Sequence, residues 1–224
     1  MIGAFIKAFA QLSDGPIVRV IGLSIIIALA VYAAVIAGAV WVLARVDIGT
    51  LPWMDTAADW GGSLLAIIIA TLLFPGLFSA IVGLFLETVV AAVERRHYPD
   101  LPPANPVAWH EAALAALRLA ALTIGLNLLL LPVYLLVMFI PPLSFALYYA
   151  VNGRLLSREY FEVVALRRMD VASATALRQR SSGAIWRTGA ATAGLLTVPI
   201  LNLFAPVIGT AAMVHVIQKL TRVS

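Results

Sequence analysis

The chain has 224 residues, of which 62% are hydrophobic and only 12% charged, a balance that excludes an ordinary water-soluble domain of this length. It has no cysteine, which excludes disulfides, thiolate metal sites and thiol catalysis. The net charge of +4 does not point to nucleic acid, because the arginines flank apolar spans and are explained by the bias of positive charge toward the cytoplasmic side.

Residues 2–12 put Ile2, Phe5, Ile6, Phe9 and Leu12 on one helical face. The segment is too short to cross ~30 Å of hydrocarbon. It is expected as an amphipathic helix over 1–14, lying in the membrane interface or packed on the protein's own surface. No apolar run followed by a small-residue cleavage site marks a signal peptide, so the chain is expected to stay whole. Ser13-Asp14-Gly15-Pro16 breaks the chain, and Pro16 suits the first turn of a new helix.

Ile17–Ala44 gives 28 residues with one charge, Arg19, enough to cross at ~1.5 Å per residue with some tilt. A loop with Asp47, Asp55 and Asp59 follows, with Trp53 and Trp60 placed as interfacial anchors. Trp60–Val93 is a second apolar run of 34 residues, with a kink expected at Pro75-Gly76. It ends in Glu94-Arg95-Arg96-His97 and a proline-rich link.

Two later apolar stretches, 112–151 and 183–218, turn back on themselves without a charged residue at the bend. Both are flanked by basic segments: Arg95 and Arg96, the seven arginines from Arg154 to Arg187, and Lys219 with Arg222. Each stretch therefore starts and ends in the cytoplasm, with both termini cytoplasmic. Ala184–Val198 and Val207–Ile217 hold 15 and 11 residues, short of the ~20 a full span needs. A partly penetrating hairpin is expected for each stretch, and two full crossings remain the alternative for 112–151. Backbone freed by Pro132, Pro141, Pro199 and Pro206 inside lipid needs partners in protein or in a water-filled cavity. Residues 152–182 read as a cytoplasmic segment, with a helix after Ser157.

The expected fold is thus an all-α integral membrane protein forming one membrane domain over 1–224. It has two long transmembrane helices (17–44 and 60–93), two partly penetrating helical hairpins and an N-terminal amphipathic helix.

Three stretches carry a family resemblance. "VPILNLFAPVIGTAAMV" (198–214), "NGRLLSREYFEVVALRR" (152–168) and "GLFLETVV" (83–90) resemble the bacterial CysZ-type sulfate permeases. The resemblance implies an inner-membrane homo-oligomer, a dimer or higher, that takes up sulfate for cysteine synthesis. It extends by chemistry to sulfite and related oxyanions. Relatives often carry adjacent arginines after the break that opens the first long helix, where this chain has Val18-Arg19. That arginine pair is half matched.

Candidate site residues follow. Gly15 and Arg19 open the first long helix, where free N–H groups, the helix dipole and a forked guanidinium suit an oxyanion. Contact with lipid phosphate is the competing reading. Arg118 lies inside an apolar arm and either faces the anion path, as the resemblance implies, or snorkels to the interface. Glu87 would repel an anion unless paired, so it is expected in a structural ion pair with Arg118 or Arg19. Asn127 and Asn202 are placed near the two bends, to hold them or to line a polar path. Pro199 and Pro206 bracket Asn202 and shape the second hairpin. Small residues at four-residue spacing, including Gly189 and Ala193, predict close helix contact.

No nucleophile elbow, zinc motif or phosphate loop is present, and the three histidines have no ligand spacing. No enzyme activity, metal or cofactor is expected. A passive, channel-like route for sulfate is the leading expectation. A proton-coupled carrier and a non-transporting membrane scaffold are the alternatives.

Overall fold

The computed structural model describes residues 2–43, 45, 80–104 and 109–222, with isolated positions between 60 and 78, and leaves the side chains at 43, 109–113, 115–116 and 118–120 outside that description. Pro75, Gly76, Trp53 and the aspartates of the first loop lie outside the described residues. All regular structure among the described residues is helical. The helices are α1 (Ile2–Ala10), α2 (Gly15–Leu43), α3 (Leu86–His97), α4 (Trp109–Val137), α5 (Pro141–Ala165), α6 (Val171–Arg180), α7 (Ser182–Leu196) and α8 (Leu201–Arg222). They divide into two compact units, residues 18–85 and residues 1–17 with 86–224.

In the smaller unit, α2 pairs with the second apolar run. The Tyr32 hydroxyl lies 3.0 Å from Thr71 Oγ1, and its ring meets Phe74 edge-on at 5.7 Å. Phe74 in turn stacks near Phe78, which is fully buried. The run expected as one helix over 60–93 is interrupted at Leu84-Phe85. There the chain makes two tight turns, Leu84 N to Ile81 O at 3.1 Å and Phe85 N to Val82 O at 2.9 Å. The helix restarts as α3 and belongs to the larger unit.

The larger unit is built around α8. Every residue from Ala205 to Gln218 is buried, because α1, α3, α5 and α7 all pack on it. A helix covered on all sides must be apolar all round, and its small residues let neighbours come close. A side-chain carbon on Gly209 would lie 2.6 Å from Thr192 Cγ2 and 2.8 Å from the Tyr160 ring. The crossing of α5 and α7 is tighter. A carbon on Gly189 would sit 2.3 Å from the Gly153 carbonyl oxygen. The stripe that includes Gly189 is therefore a contact within one chain.

Both apolar stretches fold as helical hairpins, with bends that differ from the sequence reading. The first turns at Met138–Ile140, and Pro141-Pro142 open α5, where their missing N–H groups cost nothing. Ser144 Oγ donates to the Val137 carbonyl across the bend at 2.5 Å. Pro132 and Asn127 lie inside α4 rather than at the bend. The second arm does not stop at 151, because α5 runs unbroken through Ser157 to Ala165. Asn152, Gly153 and Ser157 are thus helix-interior residues. The second hairpin turns at Thr197–Ile200, and Ile200 has φ 69°. Leu201 N bonds Pro199 O at 2.8 Å around it, a γ-turn of the rarer hand that a β-branched residue adopts only under strain. Its second arm, α8, has 22 residues and not the short span expected over 207–217.

Among the described residues, Gly15–Val42 and Leu201–Arg222 are long and apolar enough to cross a membrane. They differ in surroundings: 17% of the apolar window is buried by protein in the first and 78% in the second.

Candidate functional site: charged clusters at the basic helix ends

Glu87 and Glu94 are seven residues apart in α3, two helical turns, so their carboxylates share a face. The end of α5 delivers Arg167 and Arg168 to that face. Arg168 grips Glu94 with both prongs, Nε to Oε1 at 2.8 Å and Nη2 to Oε2 at 2.7 Å. Its Nη1 donates to the Pro102 carbonyl and so ties down the proline-rich link. Glu94 is only 5% exposed; a carboxylate so buried requires this kind of paired, forked contact. Arg167 is held loosely, at 3.8 Å from Glu94 and 3.7 Å from Glu87. Its Nε is buried without a hydrogen-bond partner. Between α3, the link 98–104 and these arginines lies a cavity of about 310 Å³, also lined by Arg95 and Tyr98.

A second ionic knot joins α5 to α6. Glu162 accepts from Arg158 Nε at 2.8 Å and from Arg178 Nη1 at 3.3 Å. A third group gathers two histidines 118 positions apart, His97 at the end of α3 and His215 in α8. Their rings meet edge-to-face at 4.8 Å, and the Tyr98 hydroxyl lies 2.8 Å from His215 Nδ1. Both Nε2 atoms are buried and without partners. Burial holds the His97 imidazole below its usual range, helped by the charges of Lys7 and Arg96. Burial also raises the Tyr98 phenol, against the pull of Arg222. Among the described residues no group of three or more histidines and carboxylates is placed to hold a metal ion.

At the start of α2, Asp14 is neutralised by an ion pair with Arg96 and accepts from Gln11 Nε2 at 3.2 Å. Gly15 is exposed, with open space where a side chain would sit. Arg19, one turn on, is also exposed. The backbone of Arg118 is in α4, and its side chain lies outside the described residues. Glu87 pairs with Arg167, a partner not among the two the sequence suggested. Asn127 donates to the Thr123 carbonyl at 2.8 Å and accepts from Tyr134 at 3.2 Å, tying the turns on either side of Pro132. Asn202 stands in the first turn of α8, half-buried, with its N–H on Val198 O at 3.0 Å. Pro199 is exposed at the bend, and Pro206 is buried inside α8. No described hydrogen bond or ion pair links Asn127 to Asn202. The sequence reading counted Glu94, Arg167 and Arg168 only as boundary charges. The seven-residue spacing of Glu87 and Glu94 was the signal for a shared cationic partner. The histidine pair left no local signal.

Neither the curated proteins nor the solved structures return a match to this chain. The family of transporters described as sulfate transporter CysZ/etoposide-induced protein 2.4 matches residues 4–206. With residues 4–206 of the 224 covered by that match, the chain belongs to this family.

Proposed function

We propose that the protein is a sulfate permease of the bacterial inner membrane, moving sulfate passively along a water-lined route and supplying cysteine synthesis. The observation that carries this reading is the family match over nearly the whole chain. The surface of the molecule supports a membrane setting. Along α2, Ile26, Leu29, Val35 and Trp41 are each more than half exposed. At the tip of the first hairpin Leu136, Met138, Phe139 and Ile140 are as well, Phe139 by 80%. Apolar surface on this scale needs lipid or another chain to cover it, which fits a tip dipping into the bilayer and a homo-oligomer. Away from the bends, the end of α3, the second half of α5 with the residues after it, and the end of α8 carry Arg95, Arg96, Arg154, Arg158, Arg167, Arg168 and Lys219, as expected of a cytoplasmic face.

Sulfate recognition is assigned to the start of α2, where Gly15 and Arg19 are open and Asp14 is cancelled by Arg96. Arg118, Asn127 and Asn202 are the further candidates for a polar path, and sulfite is the first analogue to compete. The test is equilibrium sulfate binding to the purified protein. Losing a charged hydrogen bond costs on the order of 1.5–3 kcal/mol, so Arg19→Ala should weaken sulfate binding about tenfold or more without lowering thermal stability. Unchanged affinity in the folded variant assigns Arg19 to lipid or to topology.

A further inference from the structure

We infer that the cavity between α3 and the proline-rich link binds an oxyanion, a sulfate or phosphate group, at a site separate from the start of α2. Its lining holds three guanidinium groups, Arg95, Arg167 and Arg168, against one carboxylate, Glu94. That carboxylate is already engaged. Arg168 bonds both of its oxygens and also donates from Nη1 to the Pro102 carbonyl.

The other two arginines are less fully committed. Arg167 approaches Glu94 and Glu87 no closer than 3.7 Å, beyond a good charged hydrogen bond. Its Nε–H is buried and unmatched, so its guanidinium is not fully committed to the two carboxylates. Arg95 has one described hydrogen bond, from Nε to its own helix at Ala91 O, at 3.4 Å. It also lines the cavity.

The lining also includes Pro99, Pro102 and Pro103, which offer no N–H and a rigid backbone. The site therefore combines an excess of guanidinium with a stiff stretch of backbone. At about 310 Å³ it has room for roughly ten waters at ~30 Å³ each, and so for a tetrahedral dianion with part of its hydration. A cation is disfavoured by the excess of guanidinium, and an apolar ligand by the same groups. The chemistry is common to free sulfate, inorganic phosphate and the phosphate of an anionic lipid.

The experiment uses the full chain carrying Arg19→Ala, which weakens the site proposed above about tenfold, and reads binding that responds to changes around the cavity, so that the two failures stay apart. Binding of labelled sulfate and of inorganic phosphate is measured in detergent. Retention of phosphatidylglycerol against phosphatidylcholine is measured by native mass spectrometry. One anion or one phosphatidylglycerol per chain is expected to remain, weakened about tenfold by Arg167→Gln and less by Arg95→Gln. Ala91→Leu, which narrows the cavity and leaves every charge in place, should also weaken it and decides the matter if Arg167→Gln does not fold. Loss confined to the free anions identifies a soluble ligand, and loss confined to phosphatidylglycerol identifies a lipid phosphate. No binding in the Arg19→Ala background, or binding that survives Arg95→Gln and Ala91→Leu unchanged, overturns the inference.

Discussion

Gly189→Ala tests the packing that holds the larger unit together. The added carbon would lie 2.3 Å from Gly153 O, 2.5 Å from Ser157 N and 2.6 Å from Ser157 Cβ. Ordinary contact begins at 3.4 Å, so α7 must move away from α5 by about 1 Å. The obstruction is backbone and cannot rotate aside. The helices are also pinned nearby, by Tyr148 OH on Ala193 O at 3.3 Å and Trp186 Nε1 on Ala150 O at 3.5 Å. Overpacking of this kind costs about 1–3 kcal/mol, and rigid backbone places it near the top of that range. Alanine recovers about 1 kcal/mol of helix propensity, leaving a net loss of about 2 kcal/mol. At about 2–4 °C per kcal/mol for a chain of this size, Tm should fall by about 4–8 °C in a detergent melt. Gly183→Ala is the control: it lies in the same helix with open space around it and should raise Tm by about 1–4 °C. A Gly189→Ala protein as stable as the parent would refute the close crossing of α5 and α7.

The histidine pair predicts a stability that depends on pH. His97 is depressed by burial, then by Lys7 and Arg96, and it faces His215 and Tyr98. Its imidazole takes up a proton at a lower pH in the folded protein than in the unfolded chain, which binds one near 6.5. The stabilisation is full above about pH 6.5 and is lost as pH falls toward the lowered folded value. Thermal melts at pH 7.5 and 5.5 should show this loss, and His97→Gln should shrink it; equal acid sensitivity in both proteins would remove His97 from the account. For topology, single cysteines at Phe139 and Ile200, introduced into a chain with none, should resist an impermeant thiol reagent applied to intact cells. Rapid labelling of both from outside would replace the partly penetrating hairpins with full crossings.

Much of the fold was legible in the sequence. Helix α1, the long apolar α2 and the two uncharged bends follow from hydropathy and proline placement. The interruption at Leu84-Phe85 was hidden because it falls inside an unbroken apolar run, where no polar residue or proline marks it. The first bend was misplaced because Pro132 is a weaker stop than the pair Pro141-Pro142. A single proline removes one hydrogen bond and is carried inside α4, whereas the pair sets the first turn of α5. The length of α8 was underestimated because Pro206 and the adjoining small residues read as a break. In the structure they are the contact surface of a central helix. The Glu94–Arg168 fork and the His97–His215 pair join positions 74 and 118 residues apart, and local pattern carries no record of such contacts. The start of α2 at Gly15 was legible because a helix start is a local feature.

Sulfate flux into liposomes containing the purified protein tests the central claim most directly. Labelled sulfate should enter down its own gradient and respond to voltage. It should be indifferent to an imposed pH gradient at matched voltage, because the acid of the second apolar run, Glu87, is exposed and paired with Arg167. Sulfate accumulation driven uphill by a proton gradient would make the protein a coupled carrier, with Glu87 the first residue to replace. Flux no greater than in protein-free liposomes would contradict transport itself and leave a membrane scaffold.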